Sequence, residues 1–323
     1  MKNLAIVGAT GLVGSKFIEC LEKSNLEFNN IKFLASERST SKKIKFKNID
    51  YPIEILKEDS FKNINYAVFV AGSNVSQKYA KIAAKNNVIV IDNSSYFRMD
   101  KDVPLIIPEI NSKDLKNHNN IIANPNCSTI QALLPLKVLE DNYKIKRIIY
   151  TTFQAVSGAG IKGIKDLENN TKEKFKYSIK NNCIPQIDKF LENGYTKEEE
   201  KMINETRKIL HREDLNITAT CVRVPCINCH SESINVELFN DFDLEDLKQK
   251  LNKSSGICLL DDIEKEIYPL NTFANNKPDV FVGRVRRDFS KKNCLNMWVV
   301  SDNLLKGAAY NALQILEKIY ENN

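Results

Sequence analysis

Short apolar runs alternate with segments of helical period through the first part of the chain. NLAIVGA (3–9), IKFLAS (31–36), NYAVFVAG (65–72), VIVIDNS (88–94) and IIANPN (121–126) are nearly continuous in apolar residues, as buried strands are. Between them, GLVGSKFIECLEKS (11–24) and SQKYAKIAAKNN (76–87) repeat apolar residues at the spacing of one helix face. This alternation predicts an α/β fold built on a Rossmann-type, doubly wound parallel sheet.

From residue 126 the pattern changes. IKRIIYTTFQAVSG (145–158), ITATCVRVPCI (217–227) and SINVELF (233–239) are longer strands, which predicts a second, α+β domain with a mixed sheet. The chain closes on NLLKGAAYNALQILEKIYEN (303–322), an amphipathic helix suited to return to the first domain. The expected division is therefore 1–125, completed by 303–323, and 126–302.

Composition narrows the function classes. The 323 residues are 42% hydrophobic and 27% charged with a net charge of +6, values of a globular protein. Acidic and basic residues interleave, as in KEEEKMINETRK (197–208), and no basic arm or aromatic-basic stripe argues for nucleic acid. No apolar run is long enough for a membrane span, and the N-terminal run is too short for a secretory segment. A cytoplasmic location and no membrane partner are expected, with the eight cysteines as reduced thiols.

The first strand runs into IVGATGLVGSKF, which sets Gly8, Gly11 and Gly14 between a strand and a helix. In that context the glycines permit a tight turn, close approach of a pyrophosphate and close helix–strand packing. After the second strand, LASERSTSKK (34–43) offers Ser36, Arg38 and Ser39, with Lys42 and Lys43 nearby, to a ribose 2′-phosphate. Glu37 would repel that phosphate. NADP is the expected cofactor, with NAD still open.

NPNCSTIQALLPL (124–136) places Cys127 where an apolar strand meets an apolar helix. Asn126 or Ser128 can cap that helix, whose positive dipole end favours a thiolate. Ligands bind at the carboxyl ends of strands in this fold, so Cys127 is the candidate nucleophile. A thiolate beside a nicotinamide adds to an aldehyde, and the hemithioacetal loses hydride to leave a thioester. Of three histidines, His118 (LKNHNN) and His211 (ILHRED) read as surface residues, while His230 lies between two apolar strands. His230 is the candidate acid/base.

RVPCINCHSE (223–232) contains C-x-x-C-H, a haem-attachment pattern and half of a zinc pattern. Haem would require export, and zinc would require a second pair of ligands that the chain lacks. Inside a strand, Cys226 and Cys229 would also face opposite sides. No metal and no haem are expected.

VGATGLVG (7–14), LASERS (34–39), NPNCSTI (124–130), QAVSGAG (154–160), IPQIDKF (184–190), TCVRVP (220–225), HSES (230–233) and DNLLKGAAYNA (302–312) together resemble the aspartate-semialdehyde dehydrogenase family, nearly end to end. The resemblance implies NADPH-dependent conversion of 4-phospho-L-aspartate into L-aspartate 4-semialdehyde, on the route to lysine, methionine and threonine. It makes 126–302 a catalytic and dimerisation domain, and the assembly a homodimer or homotetramer. It implies Gln154 as the residue orienting a thioester and Arg223 as the partner of the substrate α-carboxylate. Glu198 would face the substrate ammonium, and Lys201, Arg98 and Asn126 the phosphate. Thr10, Leu12 and Val13 would join Gly8 and Gly11 at the dinucleotide, while Ser157, Gly158, Asn303 and Gly307 would lie near its nicotinamide. N-acetyl-γ-glutamyl-phosphate reductase shares the glycine turn and thiol, and a non-catalytic dinucleotide sensor would share only the turn. CVRVP with a downstream HSE favours the aspartyl enzyme. Cys229 departs from the family, which often has Gly or Ala there.

Overall fold

The structure, a computed structural model, describes residues 2–322. The chain forms two compact units, Met1–Pro125 with Ala308–Asn323, and Asn126–Gly307.

In the first unit the chain runs β1 (Asn3–Val7), α1 (Leu12–Lys23), β2 (Asn30–Ala35), β3 (Lys43–Phe46), β4 (Ile49–Ile55), β5 (Tyr66–Phe69), α2 (Ser73–Lys85), β6 (Ile89–Asp92), α3 (Pro108–Asn111) and β7 (Ile121–Ala123). These strands form one sheet in the order β3-β4-β2-β1-β5-β6-β7. All neighbours are parallel except β3 and β4. The order reverses at β1, which pairs with β2 on one side and β5 on the other, and this switch point is where doubly wound sheets bind ligands. Phe17, Ile18 and Leu21 of α1 are buried at the spacing of one helix face. The hairpin β3–β4 is not evident from hydrophobic pattern, because Phe46 and Ile53 are its only buried residues. Its turn, Lys47-Asn48, takes positive φ at both residues (47° and 64°), the geometry of a tight two-residue hairpin.

The second unit comprises α4 (Cys127–Tyr143), β8 (Ile145–Gln154), α5 (Ile161–Asn169), α6 (Lys197–Leu210), β9 (Asn216–Arg223), β10 (His230–Leu238), α7 (Leu244–Lys253), β11 (Ile257–Leu259), α8 (Asn271–Ala274), β12 (Val280–Arg287) and β13 (Cys294–Ser301). Its mixed sheet has the order β11-β12-β13-β10-β8-β9. α4 is buried around nearly its whole circumference, so it carries no polar face to mark its period. α6 begins with a reciprocal capping box between Thr196 and Glu199.

Most expected elements are shorter in the structure, and three of the differences bear on the site. The strand expected over 145–158 ends at Gln154 and gives way to a 3-10 turn, Val156–Ala159. The strand expected over 217–227 stops at Arg223, ahead of Pro225, whose missing N–H suits it poorly to a ladder. The helix expected over 303–322 begins regular α-helical geometry only at Tyr310, after a π-turn, Leu305–Ala309. Asn323 lies outside the described residues.

Candidate active site

Within the first unit, Gly8 follows β1 at φ +90°, and a Cβ there would stand 2.9 Å from the carbonyl carbon and oxygen of Val70. A Cβ on Gly14 would meet the Gly8 carbonyl at 2.3 Å, so helix and turn approach as only glycine allows. Gly11 is the N-cap of α1 and brings no capping side chain, while Leu12 and Val13 form the first turn. The leading N–H groups of α1 are thus left for a phosphate. Ser36 precedes a 3-10 turn, Glu37–Ser39, that exposes Arg38. Thr10 Oγ1 and Ser39 Oγ are 3.3 Å apart, which ties the glycine turn to this second turn. The cradle fits a dinucleotide. Arg98 belongs to this unit, is buried, and donates through Nη2 to the Asn93 carbonyl at 2.9 Å.

In the second unit, strand register assembles the other candidates. Gln154 pairs with Arg223 across β8 and β9, and the Ser231–Phe153 pairing of β10 with β8 sets His230 alongside. Thr152, Cys221 and Glu232 form the next row on the same face. Alternation along each strand therefore groups side chains that lie far apart in sequence.

Cys127 is the first residue of α4, and Asn126 caps that helix by accepting the Ser128 N–H at 2.9 Å. The thiol carbon faces Gly307, where an added Cβ would come within 2.7 Å of Cys127 Cβ. Arg223 lies near enough for the charge of Cys127 to act on its guanidinium. That guanidinium is buried and donates through Nη1 to the Ala155 carbonyl at 2.6 Å. Its Nε meets no hydrogen-bond partner among the described residues.

His230 is fully buried. Its Nδ1 accepts the Ala155 N–H at 3.0 Å, while Nε2 finds no partner among the described residues. Burial first, then the charge of Arg223, lowers its pKa to about 3. Gly158 leaves the space in front of both groups clear: a Cβ there would lie 3.1 Å from Arg223 Nη1 and 3.3 Å from His230 Nε2.

Glu198 is the hub of a buried network on α6. It accepts from Asn126 Nδ2 (2.9 Å), Gln154 Nε2 (3.2 Å) and Lys201 Nζ (3.0 Å). Burial alone would raise its pKa, but Lys201, the Asn126 hydrogen bond and Arg223 bring it down to about 2. Lys201 also reaches Asp188 at 3.1 Å. Ser157 and Asn303 hydrogen-bond each other, with Asn303 Nδ2 donating over 3.0 Å. Asn303 Oδ1 also accepts the Cys229 N–H at 2.9 Å.

The stretch Cys226–Cys229 is a loop that leads into His230 at the start of β10, so strand alternation does not set the facing of the two cysteines. Cys229 takes φ +69° and packs its thiol among Ala274, Phe281 and Val300. This conformation explains why glycine suits the position. Among the described residues no cluster of three or more His, Cys, Asp or Glu side chains could hold a metal. His211 is exposed at the end of α6, but His118 is half-buried, with Nδ1 accepting the Asn120 N–H.

Two buried acids beside these groups carry no mark in the sequence motifs. Glu232 is fully buried, and neither carboxyl oxygen meets a partner among the described residues. Burial, then the charge of Glu198, raises its pKa well above the usual range. Glu205 accepts the Asn126 N–H at 2.7 Å. Position could have flagged both: Glu232 lies two residues beyond His230 on one strand face, and Glu205 seven beyond Glu198 on one helix face.

Comparisons with known proteins identify the family. Residues 3–118 match the family described as semialdehyde dehydrogenase, NAD binding domain, and residues 136–306 match its dimerisation domain. The chain is 45% identical to aspartate-semialdehyde dehydrogenase of Bacillus subtilis, covering 99% of this chain and 98% of that one. It is 47% identical to the Aquifex aeolicus enzyme of that name, over 98% and 97% of the two chains. Among solved structures, aspartate semialdehyde dehydrogenase II of Vibrio cholerae, complexed with ASA, superposes with a TM-score of 0.96 at 42% identity, covering 99% and 98%. The Candida albicans enzyme with NADP gives 0.78 at 26% identity, covering 99% and 98%. Among the described residues no helix is long and apolar enough to cross a membrane.

Proposed function

This chain belongs to the semialdehyde dehydrogenase family, and from that premise we propose that it interconverts 4-phospho-L-aspartate and L-aspartate 4-semialdehyde through a thioester on Cys127. The observation that carries the reading is the convergence of Cys127, Gln154, Glu198, Arg223 and His230 within the second unit. Full-length relatives named aspartate-semialdehyde dehydrogenase favour this activity over an acyl-glutamyl reductase or a non-catalytic sensor.

The Cys127 thiolate, at the positive end of α4, attacks the acyl carbon of the phosphoanhydride, and the C–O bond to phosphate breaks. Arg223 meets the α-carboxylate with its planar fork, and Glu198 meets the ammonium. Lys201 and Asn126 receive the phosphate. A nicotinamide dinucleotide, when bound, supplies the hydride for the thioester carbon. Because Nδ1 of His230 accepts a backbone N–H, the neutral ring carries its proton on Nε2. That N–H, beside Arg223, hydrogen-bonds the carbonyl oxygen as negative charge develops on it. Collapse of the tetrahedral oxyanion returns the Cys127 thiolate and frees the aldehyde.

Gly8, Thr10, Gly11, Leu12 and Val13 would hold the dinucleotide phosphates, with Ser36, Arg38 and Ser39 at the ribose. Arg38 supports NADP over NAD, as does the NADP-bound neighbour. The dimerisation-domain match supports a homodimer, and a homotetramer would be a dimer of that unit. The cytoplasm remains the location expected from the sequence. The reading is tested by phosphate-dependent reduction of NADP, and separately of NAD, with L-aspartate 4-semialdehyde against N-acetyl-L-glutamate 5-semialdehyde. Turnover confined to the acetylated substrate would overturn it.

A further inference from the structure

Asn126, the residue ahead of the nucleophile, is held at each of its polar groups. Its carbonyl accepts from Ile130 N–H (2.9 Å), its Oδ1 accepts from Ser128 N–H (2.9 Å), and its Nδ2 donates to Glu198 Oε1 (2.9 Å). Its own N–H donates to Glu205 Oε2 at 2.7 Å. Glu198 and Glu205 are seven residues apart on α6, so carboxylates two helical turns apart grip this one residue. Glu205 is 1% exposed. A carboxylate is costly to bury and is kept where charge-assisted hydrogen bonds offset the cost.

We propose that Glu205 is a positioning residue for the reaction: by holding the Asn126 N–H it fixes the peptide that leads into Cys127, and with it the direction of the thiol. The inference rests on Cys127 being the nucleophile. Gly307 closes on Cys127 from the side, with room for no Cβ, so the thiol has little freedom once Asn126 is held. Glu198 grips the same asparagine and faces the substrate ammonium, which makes Asn126 the link between substrate binding and the nucleophile. Release of the Asn126 N–H would leave substrate contacts in place while misaligning the attacking sulfur, and misplacement by about 1 Å costs about 10²-fold in rate.

The test compares Glu205→Ala and Glu205→Gln with the unaltered chain in two assays: steady-state turnover of L-aspartate 4-semialdehyde, and iodoacetamide alkylation of Cys127 followed by mass spectrometry across pH. Glu205→Ala is expected to lower kcat about 10- to 100-fold with KM little changed, and to alter the pH profile of Cys127 alkylation. Glu205→Gln keeps an amide oxygen that accepts the N–H, so it should recover most of the rate. Should Glu205→Ala fail to fold, Glu205→Asp, one methylene short of the contact, takes its place and is expected to lose rate in the same sense. Unaltered kcat and alkylation in the Ala or Asp variant would overturn the proposal, as would a Gln variant as slow as Ala. An unaltered chain that does not turn over the semialdehyde would instead count against the proposed function, and alkylation would still judge Glu205.

Discussion

The backbone N–H of Ala155 meets Nδ1 of His230 at 3.0 Å, and this contact decides which ring nitrogen carries the proton. Sequence reasoning expects an acid/base that titrates near neutral pH. Burial and the charge of Arg223 instead take His230 down to about 3, so the ring stays neutral throughout the neutral range. In the proposed mechanism it serves as a fixed N–H donor. Loss of one such donor costs about 10²–10³ in kcat elsewhere, and His230→Ala is expected to show a loss of that size. Whatever limb appears near pH 6.5 in the kcat/KM profile of the unaltered enzyme should persist in that variant. A limb that vanishes with His230 would show that the ring titrates there.

The same burial links stability to acid. His230 has a folded pKa below its unfolded value of 6.5, so its contribution is complete above 6.5 and is lost as pH falls toward 3. His118 is lowered too, by partial burial, so the unaltered chain alone does not isolate the effect. Urea midpoints for the chain and for His230→Gln should diverge at neutral pH and converge between pH 6.5 and 4.5. Parallel curves over that interval would contradict the attribution.

Glu232 gives the opposite slope. Its folded pKa is raised above the unfolded value of 4.5, so the folded chain keeps a proton that the unfolded chain releases. Stability associated with this group is complete below 4.5 and declines as pH rises toward the folded value. Glu232→Gln removes the ionisation at nearly constant volume. It should raise Tm at pH 8 and change it little at pH 4.5. A Tm lowered equally at both values would mean that the carboxyl makes a contact the amide cannot.

Space beside the nucleophile offers an independent check. A Cβ on Gly307 would stand 2.7 Å from Cys127 Cβ and 3.1 Å from its Cα, so the variant must displace one or the other. Gly307→Ala is expected to reduce kcat about 10- to 100-fold, measured by steady-state turnover of L-aspartate 4-semialdehyde. Wild-type kcat would show that the thiol tolerates the shift.

Hydrophobic pattern carried the doubly wound sheet well, because β1, β5 and β6 bury both faces and leave continuous apolar runs. It failed at β3 and β4, whose hairpin lies largely in solvent and is set by the Lys47-Asn48 turn. The thiol could be inferred from its place at a helix start. Arg223, as a charge in an apolar strand, announced that it needed a partner. The register that sets His230 beside Gln154 and Arg223 was hidden, since pairing between β8 and β10 joins positions as far apart in sequence as Ile145 and Leu238. Glu205 was marked only by its place seven residues beyond Glu198, since the Asn126 N–H that it accepts is a backbone group and leaves no letter in a sequence.

Cys127 carries the central claim, and Cys127→Ser tests it most directly. Phosphate-dependent NADP reduction with L-aspartate 4-semialdehyde should fall to background in this variant, with NADP still bound and the fold intact by circular dichroism. Substantial phosphate-dependent turnover by the serine variant would show that the reaction does not pass through a thioester on this residue.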